Sequence, residues 1–231
     1  MIYAGCSGYS FREWIGAFYP PKTPAREFLH FYASRLNSVE INYTFRRFPK
    51  SDLVSSWSES TPSEFRFSLK MHQSVTHMAR LRGVGASVRD FMDALVPLGN
   101  RLGVVLFQLP PFLRCELDRL DAVLAELPSG HRYAMEFRHE SWQVEAVEGR
   151  LREAGVALCA AELEIDAAAE PAITAPFAYV RLRKTPPYGE TEVEAARELV
   201  KRLSAKVEDV YVYVKHDEEG RAPTDVRRIA I

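Results

Sequence analysis

The stretch "AMEFRHESW" (residues 134–142) opens like a buried β-strand and closes by presenting a carboxylate, a guanidinium and an imidazole within a few positions. Burying Glu136, Arg138 and His139 without partners would cost on the order of several kcal/mol each. The strand must therefore end either against compensating charges or in a polar opening. Side chains alternate across a strand, so Ala134, Glu136 and Arg138 share one face while Met135 and Phe137 share the other.

The same two-phase pattern recurs outward from this stretch in both directions. Candidate strands are "IYAG" (2–5), "SVEIN" (38–42), "FRFSLK" (65–70), "LGVVLFQL" (102–109), "RYAMEFR" (132–138), "VALCAA" (156–161), "FAYVRL" (177–182) and "VYVYVK" (210–215). Helical patterns lie between them. "PAREFLHFYASRL" starts with Pro24 at a first helical position, "ASVRDFMDALVPL" and "ELDRLDAVLAEL" carry apolar residues at helical spacing, and "TEVEAARELVKRL" opens with a capping box from Thr191 to Glu194.

Short strands alternating with helices argue for parallel βα units. Eight of them in one chain of 231 residues predict an α/β fold of the TIM type, a (β/α)8 barrel formed as a single domain over residues 1–231. Between the sixth and seventh strands "ELEIDAAAEPAITAP" leaves room for little helix before Pro171, which predicts one irregular or missing helix there. An open doubly wound sheet is the alternative, but "GCSGYS" lacks its GxGxxG turn.

In a closed barrel the helices cover the outside, the polar phase points inward, and catalytic groups gather at the carboxyl ends of the strands. This places Glu40, Lys70, Gln108, Glu136, Arg138, Arg181 and Lys215 around one rim, with Arg66 deeper and structural. Glu40 or Glu136 would act as base and His139 as proton partner. Lys70, Arg138, Arg181 and Lys215 would anchor an anion, and the amides of "GCSGY" offer a small anion nest. The aromatics Tyr9, Phe11, Trp14, Phe18 and Tyr19 read either as a packed lid or as a stacking wall, with Trp142 and Tyr188 as additions. "RKTPPYGE" (183–190) reads as a loop.

Composition narrows the remaining classes. Hydrophobic residues make up 47%, and 30 basic residues against 31 acidic ones give a net charge of −1, so no global charge directs the chain to nucleic acid or an anionic membrane. Cys6, Cys115 and Cys159 are few and scattered, and no apolar run reaches the roughly 18 residues of a membrane span, which predicts a cytoplasmic protein without disulfides. No metal or other cofactor is expected, because the rim cations oppose a dication and answer the carboxylates. Cys6 reads as a small apolar residue rather than a nucleophile.

The motifs "GCSGYSFREWIGAFYP", "VEINYTFRRFP", "FRFSLKMHQSVTH", "LGVVLFQLPPF", "AMEFRHESW" and "VYVYVKHDEEGRAP" stand in the order and at about the spacing of the YecE-like family, which the chain resembles over nearly its whole length. The family is a domain of unknown function. The resemblance implies a TIM-type barrel and brings no established reaction. It directs attention to Gly5, Ser7, Gly8 and Trp14 in the first loop, to Glu40 and Asn42, to Lys70 and His77, to Gln108 and Pro110, and to Glu136, Arg138, His139 and Trp142. Two departures stand out: Arg183 and Lys184 occupy the place of a His-Gly pair, and Lys215 and His216 that of paired asparagines before Asp217.

Together these readings predict a metal-independent hydrolase, lyase or isomerase using acid/base chemistry on a small phosphorylated or carboxylated substrate. Its pocket would be lined by Ser7, Gly8, Trp14, Asn42, Lys70, His77, Gln108, Arg138, Trp142, Arg181 and Lys215. Nucleic-acid binding or processing, and ligand binding without catalysis, stand as the alternatives.

Overall fold

The computed structural model describes residues 1–161 and 171–230. Its strands are β1 (Ile2–Cys6), β2 (Ser38–Ile41), β3 (Arg66–Lys70), β4 (Leu102–Gln108), β5 (Arg132–Glu136), β6 (Ala157–Leu158), β7 (Ala160–Ala161), β8 (Phe177–Leu182) and β9 (Asp209–Val214). The α-helices are α1 (Phe28–Ala33), α2 (Tyr43–Arg46), α3 (Ser51–Glu59), α4 (Gly85–Leu95), α5 (Leu117–Ala125), α6 (Glu145–Ala154), α7 (Glu190–Ser204) and α8 (Ala222–Ile229). The eight expected strands are all present. The sixth is divided at Cys159 into β6 and β7.

All strand pairings among the described residues are parallel, which establishes the α/β class. One sheet runs β1-β9-β8-β7 and the other β2-β3-β4-β5-β6. Among the described residues the strands form two parallel sheets that meet at two seams and do not close into one continuous hydrogen-bonded sheet. At the first seam, Ala157 and Leu158 pair with β5 while Ala160 and Ala161, two residues on, pair with β8. At the second, side chains replace the ladder between β1 and β2. The Asn37 amide accepts from Ala4 N at 2.8 Å and donates to Ile2 O at 2.9 Å, and the Tyr32 hydroxyl accepts from Cys6 N and donates to Ser38 O. Gly5 lets the strands approach so closely, since a Cβ there would fall 1.9 Å from Ser38 O.

The two phases of each strand feed two hydrophobic clusters. The larger packs strands against helices and includes Val39, Phe67, Val105, Met135, Val180 and Val212. The smaller gathers the opposite phase, among it Val104, Leu106, Ala134, Tyr179, Tyr211 and Tyr213. Hydroxyls cross this inner layer: Tyr213 OH bonds Ser38 Oγ at 2.6 Å and Ser68 Oγ at 2.8 Å, tying β9 to β2 and β3.

Two local readings are corrected. The cap of α7 is Gly189, whose amide donates to Glu192 at 2.8 Å, so the helix starts two positions before the Thr191–Glu194 box. Pro24 precedes a 3-10 turn, Ala25–Glu27, rather than opening an α-helix directly. The helix expected to be irregular or missing between the sixth and seventh strands falls chiefly on residues 162–170, outside the described residues. Among the described residues, no helix is long and apolar enough to cross a membrane.

Candidate functional site

Arg181, inward-facing on β8, is fully buried and binds both inward carboxylates. Its Nε donates to Glu40 Oε2 at 2.8 Å and its Nη2 to Glu40 Oε1 at 2.9 Å, a bidentate pair across the two sheets. Its Nη1 donates to Glu136 Oε2 at 2.5 Å. Glu40 also accepts from Ser7 Oγ at 2.9 Å, Asn42 Nδ2 at 3.1 Å and Tyr179 OH at 2.8 Å. Glu136 Oε1 accepts from Gln108 Nε2 at 2.7 Å, and Gln108 Oε1 in turn accepts from Lys70 Nζ at 2.5 Å. One connected network thus joins the ends of β2, β3, β4, β5 and β8.

These contacts answer the paradox of the 134–142 stretch. Glu136 is buried because Arg181 and Gln108 satisfy it, while Arg138, next in phase, is exposed and lies 3.7 Å from it. His139 has turned away from the network: its Nδ1 accepts from Ser141 N at 3.1 Å and caps the turn Glu140–Trp142.

The electrostatics redistribute the roles assigned from sequence. Burial alone would raise the Glu40 pKa, but the Arg181 charge and the hydrogen bonds from Arg181, Tyr179 and Ser7 overcome it and hold the carboxyl at about 2. A carboxylate held that low, with five donors upon it, is a poor proton acceptor at neutral pH. It holds Arg181 through two hydrogen bonds.

Lys70 is the contrasting group. Burial, reinforced by Arg181 and Arg183, pushes its pKa down to about 8 against the pull of Glu40 and Glu136. Its ammonium lies 3.9 Å above the Phe45 ring, and Thr44 Oγ1 pins the strand end by donating to Lys70 O at 2.7 Å. Arg183, two residues beyond Arg181 on the same face, makes no hydrogen bond or ion pair among the described residues; burial and the Arg181 charge lower its pKa.

The other expected residues divide. Ser7, Asn42, Lys70, Gln108, Glu40, Glu136 and Arg181 are drawn into the network, with Arg138 beside it. His77 sits on a π-turn, Ser74–Met78, edge-on to Phe45 at 4.8 Å, and burial, Lys70 and Arg138 lower its pKa. Lys215 Nζ donates to Thr185 Oγ1 at 2.9 Å. Trp14 and Trp142 are buried in the core, their indole N–H groups donating to Asp217 O and Leu113 O, and Trp142 stacks on Phe137 at 4.3 Å. Neither ring face is open to a ligand, so the packed-lid reading holds for both. Burial of the Cys6 thiol raises its pKa, in keeping with its reading as a small core residue.

Beside the network a cavity of about 600 Å³ is lined by Ser7, Gly8, Tyr9, Phe11, Asn42 and Trp57, among others. Tyr179 and the α3 residues Leu53 and Trp57 were not singled out from sequence as pocket residues. Tyr179 carried a readable signal, since it shares a phase with Arg181, whereas nothing in α3 suggests chemistry. Among the described residues no group of three His, Cys, Asp or Glu side chains is placed to hold a metal.

The family model described as "Protein of unknown function DUF72" matches residues 3–230. The UPF0759 protein YecE of Escherichia coli K12 is 34% identical over 140 residues, covering 60% of this chain and 49% of that protein. The UPF0759 protein YunF of Bacillus subtilis is 30% identical over 154 residues, covering 62% and 52%. The chain spans about half the length of the curated relatives it matches. A DUF72 family protein of Thermotoga maritima superposes with a TM-score of 0.84 at 25% identity, over 100% of this chain and 98% of that one. A GH5_18 protein of Bifidobacterium longum shares the fold alone, with a TM-score of 0.58 at 11% identity, over 99% of this chain and 78% of that one. The family match over nearly the whole length, together with these relatives, places the chain in the DUF72 family, the YecE-like proteins of unknown function.

Proposed function

We propose that this chain is an enzyme performing acid/base chemistry on a small phosphorylated or carboxylated molecule, held at the carboxyl end of an interrupted (β/α)8 barrel. In this reading the two sheets are halves of that barrel, with Cys159 and the β1/β2 contact as its seams. The observation that carries the proposal is the balance of charge at the mouth. Two carboxylates, Glu40 and Glu136, face four cations, Arg181, Lys70, Arg138 and Arg183, and Arg181 alone already engages both carboxylates. Arg183 and Lys70 then face the opening with no carboxylate of their own in contact among the described residues, an arrangement suited to a dianion. Lys70, its pKa pushed down to about 8, is the proton acceptor in its neutral form, and the substrate's charge sits on Arg183 and Arg138.

Calorimetric titration with inorganic phosphate tests the anchor. Arg183→Ala is expected to weaken binding roughly 10–100-fold, the worth of a charge-assisted contact, with the unfolding midpoint little changed. Equal affinity for the two proteins, or no phosphate binding by the unaltered chain, would remove the basis of the proposal.

A second reading, single-stranded nucleic acid, is favoured by the outer rim, where exposed Tyr43 (46%), Phe48 (39%) and Phe112 (62%) are interleaved with Arg46, Arg47 and Arg80. Base stacking beside phosphate contacts would use such a surface. It predicts retention on single-stranded DNA that collapses as salt rises; the small-anion reading predicts none.

A further inference from the structure

The cavity beside Ser7 and Asn42 opens from the same network that organises the anion mouth. Ser7 Oγ and Asn42 Nδ2 both donate to Glu40 Oε1, and Glu40 is the bidentate partner of Arg181. Arg183 stands just past the end of β8, two residues beyond Arg181 and near enough to Glu40, Glu136 and Arg138 to respond to their charge. His216 connects the two spaces: it lines the cavity and stacks on Phe11 at 4.7 Å with an 11° interplanar angle, yet it lies near enough to Lys215 and Arg183 to respond to their charge.

The walls of this cavity are aromatic and aliphatic: Tyr9, Phe11, Tyr43, Leu53 and Trp57. Its floor is polar, but the Ser7 and Asn42 donors already point to Glu40. The polar groups left for a ligand are at Tyr9, Ser10, Tyr43 and His216, while ring faces, ring edges and aliphatic carbons make up most of the wall. The volume, about 600 Å³, lies within the ordinary range of small-molecule sites. Gly8 helps to preform the wall: its φ is +114°, and a Cβ there would meet the Phe11 ring at 2.8 Å.

We infer that the anion taken by this mouth carries a flat apolar ring, seated between Phe11, Tyr43 and Leu53 while its charged group rests on Arg183; the inference rests on the anion reading proposed above. The substrate class is then an aryl or heteroaryl phosphate or carboxylate, not a phosphorylated sugar. A ring that leaves water for such a pocket gains affinity in proportion to its buried area, here roughly 10–100-fold over the bare anion.

The test compares inorganic phosphate, glucose 6-phosphate and 2-naphthyl phosphate on the unaltered chain and on Leu53→Trp, which fills the cavity without touching the anion anchors. Naphthyl phosphate is expected to bind roughly 10–100-fold tighter than inorganic phosphate, and glucose 6-phosphate no tighter. Leu53→Trp is expected to abolish the naphthyl advantage and leave phosphate affinity within about twofold. Tyr43→Ala, an exposed wall position, should reduce the same advantage severalfold and serves if Leu53→Trp does not fold. Phosphate binding without a naphthyl advantage, or an advantage that survives both substitutions, overturns the ring seat and leaves the anion reading standing. Loss of all three ligands on the unaltered chain overturns both.

Discussion

Arg181→Met is expected to lower the free energy of unfolding at neutral pH by about 3–5 kcal/mol, the usual cost of stranding buried carboxylates. The substitution keeps much of the side-chain volume but removes the one cation bonded to both carboxylates, since Arg181 makes two bonds to Glu40 and one to Glu136. Glu40 retains only the neutral donors Ser7, Asn42 and Tyr179, and Glu136 keeps Gln108 and the half-exposed Arg138 at 3.7 Å, so the fully buried Glu40 carries most of the loss. The triple change Arg181→Met, Glu40→Gln, Glu136→Gln should recover most of the loss, because it removes the charges together.

The pH dependence should reverse sign between the two proteins. In the unaltered chain Glu40 titrates at about 2 when folded and near 4.5 when unfolded, so its stabilisation is present above pH 4.5 and is lost as the pH falls toward 2. Without Arg181, burial raises the folded pKa above the unfolded one, and acidification from neutral pH should stabilise the variant. Urea unfolding from pH 7 to pH 3 measures both slopes. A loss below about 1 kcal/mol at pH 7, or parallel slopes, would show that Arg181 is not what makes these two buried charges tolerable.

Much of this network is legible because period-two alternation is a geometric rule that short strands obey. Once "AMEFR" and "YVRL" are read as strands, Glu136 and Arg181 must share the inner side with Glu40, and opposite charges confined there must meet. Sequence does not give the hierarchy among those charges. Glu40, Glu136 and Lys70 look alike as rim candidates. Only the count of donors on Glu40, and the lack of a carboxylate in contact with Lys70 among the described residues, distinguish an anchor from a titrating group. His139 shows a second limit, since local hydrogen bonding to Ser141 N turned a chemically attractive imidazole into a cap. The division of strand six at Cys159 was equally hidden, because "VALCAA" carries no glycine or proline to mark a break. The burial of Trp14 and Trp142 follows from tertiary packing of the loops, for which a single tryptophan in sequence gives no sign.

Lys70→Met should separate stability from function. The folded Lys70 pKa, about 8, lies below its ordinary value of 10.5, so the fold pays for carrying the ammonium at every pH below 8, and that penalty disappears above about 10.5 where the amine is neutral in both states. Methionine in its place is therefore expected to raise the unfolding free energy by roughly 1–3 kcal/mol at pH 7, with the gain shrinking as the pH climbs toward 10.5. Turnover of an aryl anion should meanwhile fall roughly 100–10,000-fold, as expected for a lost proton acceptor. The unaltered chain should gain activity as pH rises through about 8, and the variant's residual rate should lack that limb. Reductive methylation with labelled formaldehyde provides a readout free of substrate, since the Lys70 resonance should titrate near pH 8, well below the ordinary lysine value of 10.5. A Lys70 signal that titrates near its ordinary value of 10.5, or a Lys70→Met variant that is both less stable and fully active, would return Lys70 to a structural role.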